Sequence, residues 1–144
     1  MSFTLDDLYA ATKSHYSGYE LDLPSGNTLE LRNAIRLSKA ERKSFSELQK
    51  DLTAKVEMPE VERDQREDES DEDYEARLEA ELEAVSEAAD KLEASRRATL
   101  HKIFKLLAQD KETAKEALSI FGEDLGVLMT LIQEYGKATQ AGEA

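Results

Sequence analysis

The chain contains no cysteine in its 144 residues. This absence excludes disulfide bonds, thiolate metal ligands and cysteine nucleophiles, and it fits a reducing compartment. Aromatic residues are also scarce, at 6%, and hydrophobic residues reach 40%, whereas charged residues make up 35%. Such a balance favours helices with wide solvated faces over the compact core of an enzyme.

Long hydrophobic runs are missing as well. No stretch approaches the ~20 apolar residues that a helix needs to cross a bilayer. The opening MSFTLDDLYA lacks the basic segment and the apolar run of a secretory signal. We therefore expect a soluble protein that is not exported and has no membrane partner.

Positive charge is in deficit, because the formal net charge is −13. All of this net charge lies between Glu57 and Ala94, where 17 acidic residues accompany 4 basic ones. An acidic protein does not displace counterions from a phosphate backbone, so we expect no nucleic-acid partner, whereas a basic protein partner is compatible. The acidic block could serve solubility, pair with the basic residues on either side of it, or pair between subunits.

What the chain does contain is a long helix signal from Ser70 to Gln109, a stretch without proline or glycine. Ser70 as N-cap with Asp73 three residues later defines its start. Apolar residues at alternating spacings of three and four form a narrow seam along one face. The seam fits packing on the same chain or an intermolecular coiled coil. The candidate residues for self-association are Leu78, Leu82, Val85 and Leu92.

The N-terminal third predicts a helix, a β-hairpin and a second helix. Thr4 and Asp7 form a capping box for the first helix, and Gly18 ends it. Apolar and polar residues alternate in YELDL and TLELR on either side of a PSGN turn, which predicts the hairpin. Ser38 and Glu41 form the capping box of the second helix, which we expect to cover the apolar face of the hairpin. Its apolar residues are Phe45, Leu48, Leu52 and Val56.

The pattern as a whole predicts a mainly α fold. Residues 1–56 form a small N-terminal α+β unit, and residues 57–69 form an acidic linker or a poorly ordered loop. Residues 70–136 form a helical region with the long helix and two short C-terminal helices, of which the first ends at Gly122 and the second at Gly136. Residues 137–144 are expected to be a flexible tail.

The last predicted helix carries an apolar stripe that is too wide for an ordinary surface helix. Two interpretations remain open. The stripe is either part of the core or a docking surface for an apolar partner helix, which methionine suits because it adapts its shape. The candidate partner-binding residues are Leu125, Leu128, Met129, Ile132 and Tyr135.

Catalytic and metal-binding patterns are not found. His15 and His101 lie on different predicted helices, and neither has a second ligand three or four residues away. The acidic run DESDEDYEARLE lacks the central glycine and the spacing of a calcium loop. There is no glycine-rich phosphate loop and no G-x-S-x-G motif. We therefore expect no enzyme activity and no cofactor.

Several stretches at both ends of the chain, together with the acidic middle, resemble tail assembly chaperones of siphophages that infect actinobacteria. None of these stretches is a catalytic signature. They are Phe3 to Leu8 (FTLDDL), Leu29 to Asn33 (LELRN), Arg36 to Lys39 (RLSK), Gly126 to Met129 (GVLM) and Glu134 to Gln140 (EYGKATQ).

The resemblance implies a protein of the host cytoplasm that binds the long, helical, apolar tape measure protein and keeps it soluble. It also implies that tail tube subunits gather round this complex and that the chaperone is absent from the mature virion. Such chaperones are made in a short form and in a rarer long form, which a programmed frameshift produces. The resemblance implies that the present chain is the short form and that the appended domain of the long form recruits tube subunits.

Two alternatives come from other classes of protein. A self-associating helical scaffold without a client would use the seam on the long helix, and a marginal N-terminal unit also predicts a homo-oligomer. An acidic mimic of nucleic acid would need carboxylates at rigid, DNA-like spacings. The predicted loop at 57–69 does not supply them.

Overall fold

The computed structural model describes residues 2–141, and these form a mainly helical fold with one antiparallel hairpin. The predicted fold class is therefore confirmed. In chain order the elements are α1 (Leu5–His15), β1 (Tyr19–Asp22), β2 (Thr28–Leu31), a 3-10 turn (Ala34–Arg36), α2 (Lys39–Thr53), α3 (Asp71–Leu107), α4 (Lys111–Phe121) and α5 (Leu125–Ala141).

The predicted helix starts agree with the structure. The Thr4 hydroxyl accepts a hydrogen bond from the Asp7 N–H at 3.0 Å, and the Asp7 carboxylate accepts one from the Thr4 N–H at 3.1 Å. Ser38 and Glu41 form the same reciprocal pair at the start of α2. The Ser70 hydroxyl accepts from the backbone N–H three residues later, at 3.2 Å. Each cap satisfies donors that the first helical turn leaves free.

The chain divides into two compact units, and the division differs from the predicted one. One unit joins the residues up to Thr53 with those from Arg97 onwards, and the other is Ala54–Arg96. The residues expected to form a small N-terminal unit (1–56) are therefore grouped, up to Thr53, with the C-terminal helices. The hairpin needs more cover than α2 provides, and the end of α3, α4 and α5 supply it.

The core of the first unit surrounds β2. Leu29 and Leu31 are 1% and 0% exposed, and Phe45 of α2 is buried beside them. Val56, which was expected to continue the apolar face of α2, lies beyond the end of that helix and is exposed. The remaining core comes largely from the three C-terminal helices, through Leu100, Ile103, Phe104, Leu107, Ala114, Ala117, Leu128, Leu131 and Tyr135.

The predicted hairpin is present, with Tyr19 opposite Leu31 and Leu21 opposite Leu29. The outer edge of strand β2 also forms backbone hydrogen bonds, with the residues that follow α3 and end it. The Gln109 N–H donates to the Glu30 carbonyl, and the Arg32 N–H donates to the Leu107 carbonyl, both at 2.8 Å. The segment between α3 and α4 therefore extends the hydrogen bonding of the hairpin.

Arg32 connects four elements at the end of β2. Its Nη2 donates to the Leu106 carbonyl at 2.7 Å and to the Glu41 carboxylate at 2.8 Å. The Tyr135 hydroxyl donates to the Arg32 carbonyl at 2.7 Å. A cation at the C-terminus of α3 complements both the free carbonyls and the negative end of the helix dipole. The hairpin, α2, α3 and α5 thus meet at one residue.

This arrangement stabilises the ionised form of the Glu41 carboxyl. The Ser38 N–H, and after it the Arg32 guanidinium, lower the pKa of the Glu41 carboxyl from 4.5 to about 2. Because the folded pKa lies below the ordinary value, the ionised carboxylate favours the folded state above that ordinary value. This contribution is lost as the pH falls through the folded pKa.

The second unit consists of an irregular segment, 54–70, and residues 71–96 of α3. Arg77 of α3 holds that segment in place. Its guanidinium donates to the Glu69 carboxylate at 2.8 Å and to the backbone carbonyls of Glu62 and Asp64 at 2.8 and 3.1 Å. The same contact with Arg77 lowers the pKa of Glu69. The segment expected to be a linker or a poorly ordered loop therefore has specific side-chain contacts with the helix that follows it.

The last helix is longer than predicted. Gly136 does not end α5, which continues to Ala141, and Thr139 is buried with its hydroxyl bonded to the Tyr135 carbonyl. Gly136 is tolerated because a helix interior accepts glycine at a modest cost. The expected flexible tail is thus helical over residues 137–141, and residues 142–144 lie outside the described part of the chain.

Substitutions of Gly18 and Gly136 by alanine are expected to have opposite effects on stability. At Gly18 an added Cβ would lie 1.8 Å from the Leu31 carbonyl oxygen, whereas at Gly136 it would meet nothing within 4 Å. We expect Gly18→Ala to lower the free energy of unfolding by more than about 2 kcal/mol, because backbone must move. Gly136→Ala should raise it by about 0.4–1 kcal/mol. Urea denaturation followed by circular dichroism measures both, and equal effects would contradict the described packing.

A second prediction concerns pH. Glu41→Gln removes the charge that pairs with Arg32. We expect the variant to melt at a lower temperature than the natural protein at pH 7, and we expect the difference to vanish as the pH falls from 4.5 to about 2. Glu47→Gln, an exposed position on the same helix, is the control and should leave the melting temperature nearly unchanged at every pH. A constant difference between Glu41→Gln and the natural protein across this range would contradict the linkage.

Candidate interaction surfaces

An apolar groove of about 690 Å³ lies on the first unit. Strand β1 and the turn after it form one side, and the end of α4 with the outer face of α5 forms the other. Its apolar lining is Tyr19, Leu21, Leu23, Pro24, Ile120, Phe121, Val127 and Leu131.

The α5 side of the groove is one face of a helix. Asp124, Val127, Leu131 and Glu134 recur at spacings of three and four, which places them in one row. Leu131 is buried at the base of the groove, while Val127 is 41% exposed and Ile120 of α4 is 55% exposed. The groove therefore offers apolar surface to a ligand without any rearrangement of the core.

The charged groups of the groove are all acidic. Asp22, Asp124 and Glu134 line it, and its described lining contains no lysine or arginine. Asp22 accepts a hydrogen bond from the Thr28 hydroxyl at 2.9 Å, and Asp124 caps α5 through the Val127 N–H at 3.2 Å. Glu134 forms an ion pair with the exposed Lys137 at 3.6 Å. The edge of the groove thus combines carboxylates with an apolar base.

The partner-binding residues predicted from sequence lie mostly on other faces of α5. Leu128 is 0% exposed and Tyr135 is 3% exposed, so both belong to the core, which was one of the two interpretations left open. Leu125, Met129 and Ile132 are partly buried and pack against that core. A partner-binding role for these three remains a prediction.

The residues that line the groove were not among the predicted partner-binding residues. The width of the stripe on α5 was the available signal. A helix that is apolar on more than one side has apolar residues in addition to those that pack in the core. Val127 and Leu131 line the groove. The β1 and α4 contributions, such as Leu21 and Ile120, become neighbours only in the folded chain.

The predicted self-association seam lies on the part of α3 in the second unit. Leu82 is 49% exposed, and Leu78, Val85 and Leu92 are half-buried. The helix is continuous from Asp71 to Leu107. The seam is thus partly accessible, and self-association through it remains a prediction.

Helix α1 presents a second exposed apolar surface. It has no buried residue, although it was expected to pack within an N-terminal unit. Phe3, Leu5, Leu8 and Tyr9 are 68%, 61%, 49% and 63% exposed. A contiguous exposed apolar surface of this kind usually marks an interaction site.

The histidines have structural contacts. The His101 Nε2 donates to the Gly122 carbonyl at 2.7 Å and so satisfies a carbonyl at the end of α4. The His15 ring packs edge-on against Tyr16, with centroids 4.5 Å apart. Within residues 2–141, no group of histidine, aspartate and glutamate side chains is arranged to hold a metal ion. Over the same residues, no helix combines the length and the apolarity that a membrane span requires.

A small helical fold that exposes two apolar surfaces and carries a strongly acidic unit is typical of proteins that act by binding other proteins. The family model of mycobacteriophage tail assembly proteins matches residues 1–144, so the chain belongs to that family. No curated protein and no solved structure matches the chain at a significant level.

Two adjacent residues of α5 separate core from surface. Leu128→Asp places an unpaired carboxylate in the core, and we expect it to cost several kcal/mol and to unfold the first unit. Val127→Asp should change the free energy of unfolding by less than about 1 kcal/mol, because the side chain is half-exposed in the first turn of the helix, where the dipole favours an acid. Thermal denaturation of both variants tests this, and similar losses would mean that the groove is closed in solution.

Proposed function

We propose that this tail assembly protein is a chaperone that binds the tape measure protein and keeps it soluble during tail morphogenesis. The observation that carries the proposal is the groove, whose base is apolar and whose edge is acidic. An apolar helical client aggregates through surfaces that no partner covers. The groove would cover part of such a surface. Burial of the client's apolar side chains would be sufficient for this mechanism.

The acidic unit supports the same role. Residues Glu57 to Ala94 carry the whole net charge of −13. A high net charge opposes association between like complexes, so a client coated with many copies would stay dispersed. Charge and binding would then reside in different parts of the chain, the second unit and the first unit respectively.

The proposal extends to location and to a longer form. The chaperone would act in the host cytoplasm and leave before the virion is complete. A frameshifted long form would append a domain that recruits tail tube protein. In the short form, residues near Gly136 and Lys137 belong to α5, so an appended domain would continue from a helix.

A self-associating scaffold without a client is the second candidate function. The observation that favours it is the exposed apolar surface outside the groove, on α1 and at Leu82 of α3. Two copies could bury these residues against each other. The two functions differ in whether a client is needed.

Co-expression with the tape measure protein of the same phage genome tests the first function. We expect the soluble share of the tape measure protein to rise several-fold when this chain is present. An unrelated acidic helical protein of similar size is the control for a general effect of charge. If the tape measure protein is no more soluble with this chain than with the control, the chaperone function is rejected. A large discrete oligomer in light scattering would then favour the scaffold.

A further inference from the structure

The chemistry of the groove specifies what kind of segment fits it. Its base is apolar, and the three charged side chains that line it, Asp22, Asp124 and Glu134, are carboxylates on both of its sides. Asp22 stands at the end of β1, Asp124 directly precedes α5, and Glu134 stands on α5. A ligand that enters must therefore bury apolar surface and also meet negative charge at its edges.

The neighbours of these carboxylates leave the negative charge largely uncompensated. Asp22 bonds to a neutral hydroxyl, that of Thr28. Asp124 bonds to the backbone at the start of α5, where the helix dipole offsets part of its charge. Glu134 has a cation beside it, but Lys137 is 75% exposed and such surface pairs contribute little.

The spacing of the carboxylates indicates the length of the segment that the groove would bind. Asp124 and Glu134 are ten residues apart, which corresponds to ~15 Å along the axis of α5. A second helix lying along α5 covers this distance with about ten residues. Three apolar side chains at helical spacing would fill the base between the two charges.

We propose that the groove binds a basic amphipathic helix of the client, with an apolar face and a lysine or arginine at each end of a span of about ten residues. This proposal rests on the proposed chaperone function and names the chemistry of the client segment. Apolar burial would supply the binding free energy, and the carboxylates would set orientation and the rate of association.

A second copy of this chain fits the groove less well. Within the first unit, the exposed apolar helix that a copy could offer is α1, which carries Asp6 and Asp7 in its first turn and one lysine, Lys13, in its last. A ligand with a cation at each end fits the carboxylates at both ends of the groove better than α1 does. Asp6 and Asp7 would approach an acidic groove, and like charges at an interface disfavour the complex. A nucleic acid is disfavoured for the same reason.

A labelled peptide tests the proposal directly on the full chain. The probe is a fluorescein-labelled, 18-residue helix of leucine and lysine with one apolar face, and the comparison is the same peptide with glutamate in place of lysine. We expect the lysine peptide to bind at least roughly tenfold more tightly in fluorescence anisotropy, with an affinity that falls as salt is added.

Matched variants place the binding in the groove. Val127→Lys puts a cation beside the apolar base, and Val56→Lys makes the same substitution at an exposed valine of the acidic second unit. We expect Val127→Lys to weaken binding of the lysine peptide by roughly tenfold or more, and Val56→Lys by less than about twofold. The double variant Asp22→Asn with Glu134→Gln should weaken binding several-fold and flatten the salt dependence. Circular dichroism confirms that each variant is folded.

Three results would overturn the proposal. Equal weakening by Val56→Lys and Val127→Lys would mean general attraction to an acidic protein. Equal binding of the glutamate peptide would remove the role of charge. If Val127→Lys changed the mass in light scattering and left peptide binding intact, the groove would be an interface between copies.

The same variants separate this proposal from the chaperone function. If the natural chain solubilises the tape measure protein and Val127→Lys does so equally well, the groove proposal fails and the chaperone function stands. If the natural chain does not solubilise the client, the chaperone function fails whatever the peptide does.

Discussion

The fold of the first unit depends on Arg32 at the C-terminus of α3. Its guanidinium donates to the Leu106 and Leu107 carbonyls, and its own N–H donates to Leu107 as well. These carbonyls end a helix of 37 residues and have no partners within it. Glu41 balances the charge, so the cation is half-buried without being unpaired. One residue thereby ends α3, fixes the hairpin and anchors the start of α2.

The position of the groove follows from this contact. Because Arg32 holds the hairpin against α3, and because its carbonyl accepts the Tyr135 hydroxyl, β1 and α5 are brought alongside each other. The inner side of α5 fills the core with Leu128 and Tyr135, which leaves the neighbouring Val127 partly exposed. The apolar groove is thus the outer surface of the same packing that forms the core. Burial of Tyr135 also raises the pKa of its hydroxyl to about 12, so the hydroxyl stays protonated and can donate.

The two units differ in the chemistry of their side chains. The first unit contains the core and the exposed apolar surfaces on α1 and in the groove. The second unit is dominated by carboxylates, and Arg77 is the cation that organises its irregular segment. Arg77 and Glu69 are 14% and 10% exposed, which is low for charged side chains and explains how a segment with few apolar residues has a defined path.

Local features of this protein were determined by the sequence alone. Capping boxes, the PSGN turn and the run without proline or glycine act over a few residues, so helix starts, the hairpin and α3 could be predicted. Which apolar face meets which partner was decided by the tertiary structure. The same pattern on α5 fitted core and docking surface, and the fold assigned Leu128 to the core and Val127 to the groove. The contact between Arg32 and Leu106 spans 74 residues, and no local pattern encodes such a distance. At Gly136 the local pattern predicted the wrong helix end. The glycine was expected to end α5, but the helix continues to Ala141 and buries Thr139.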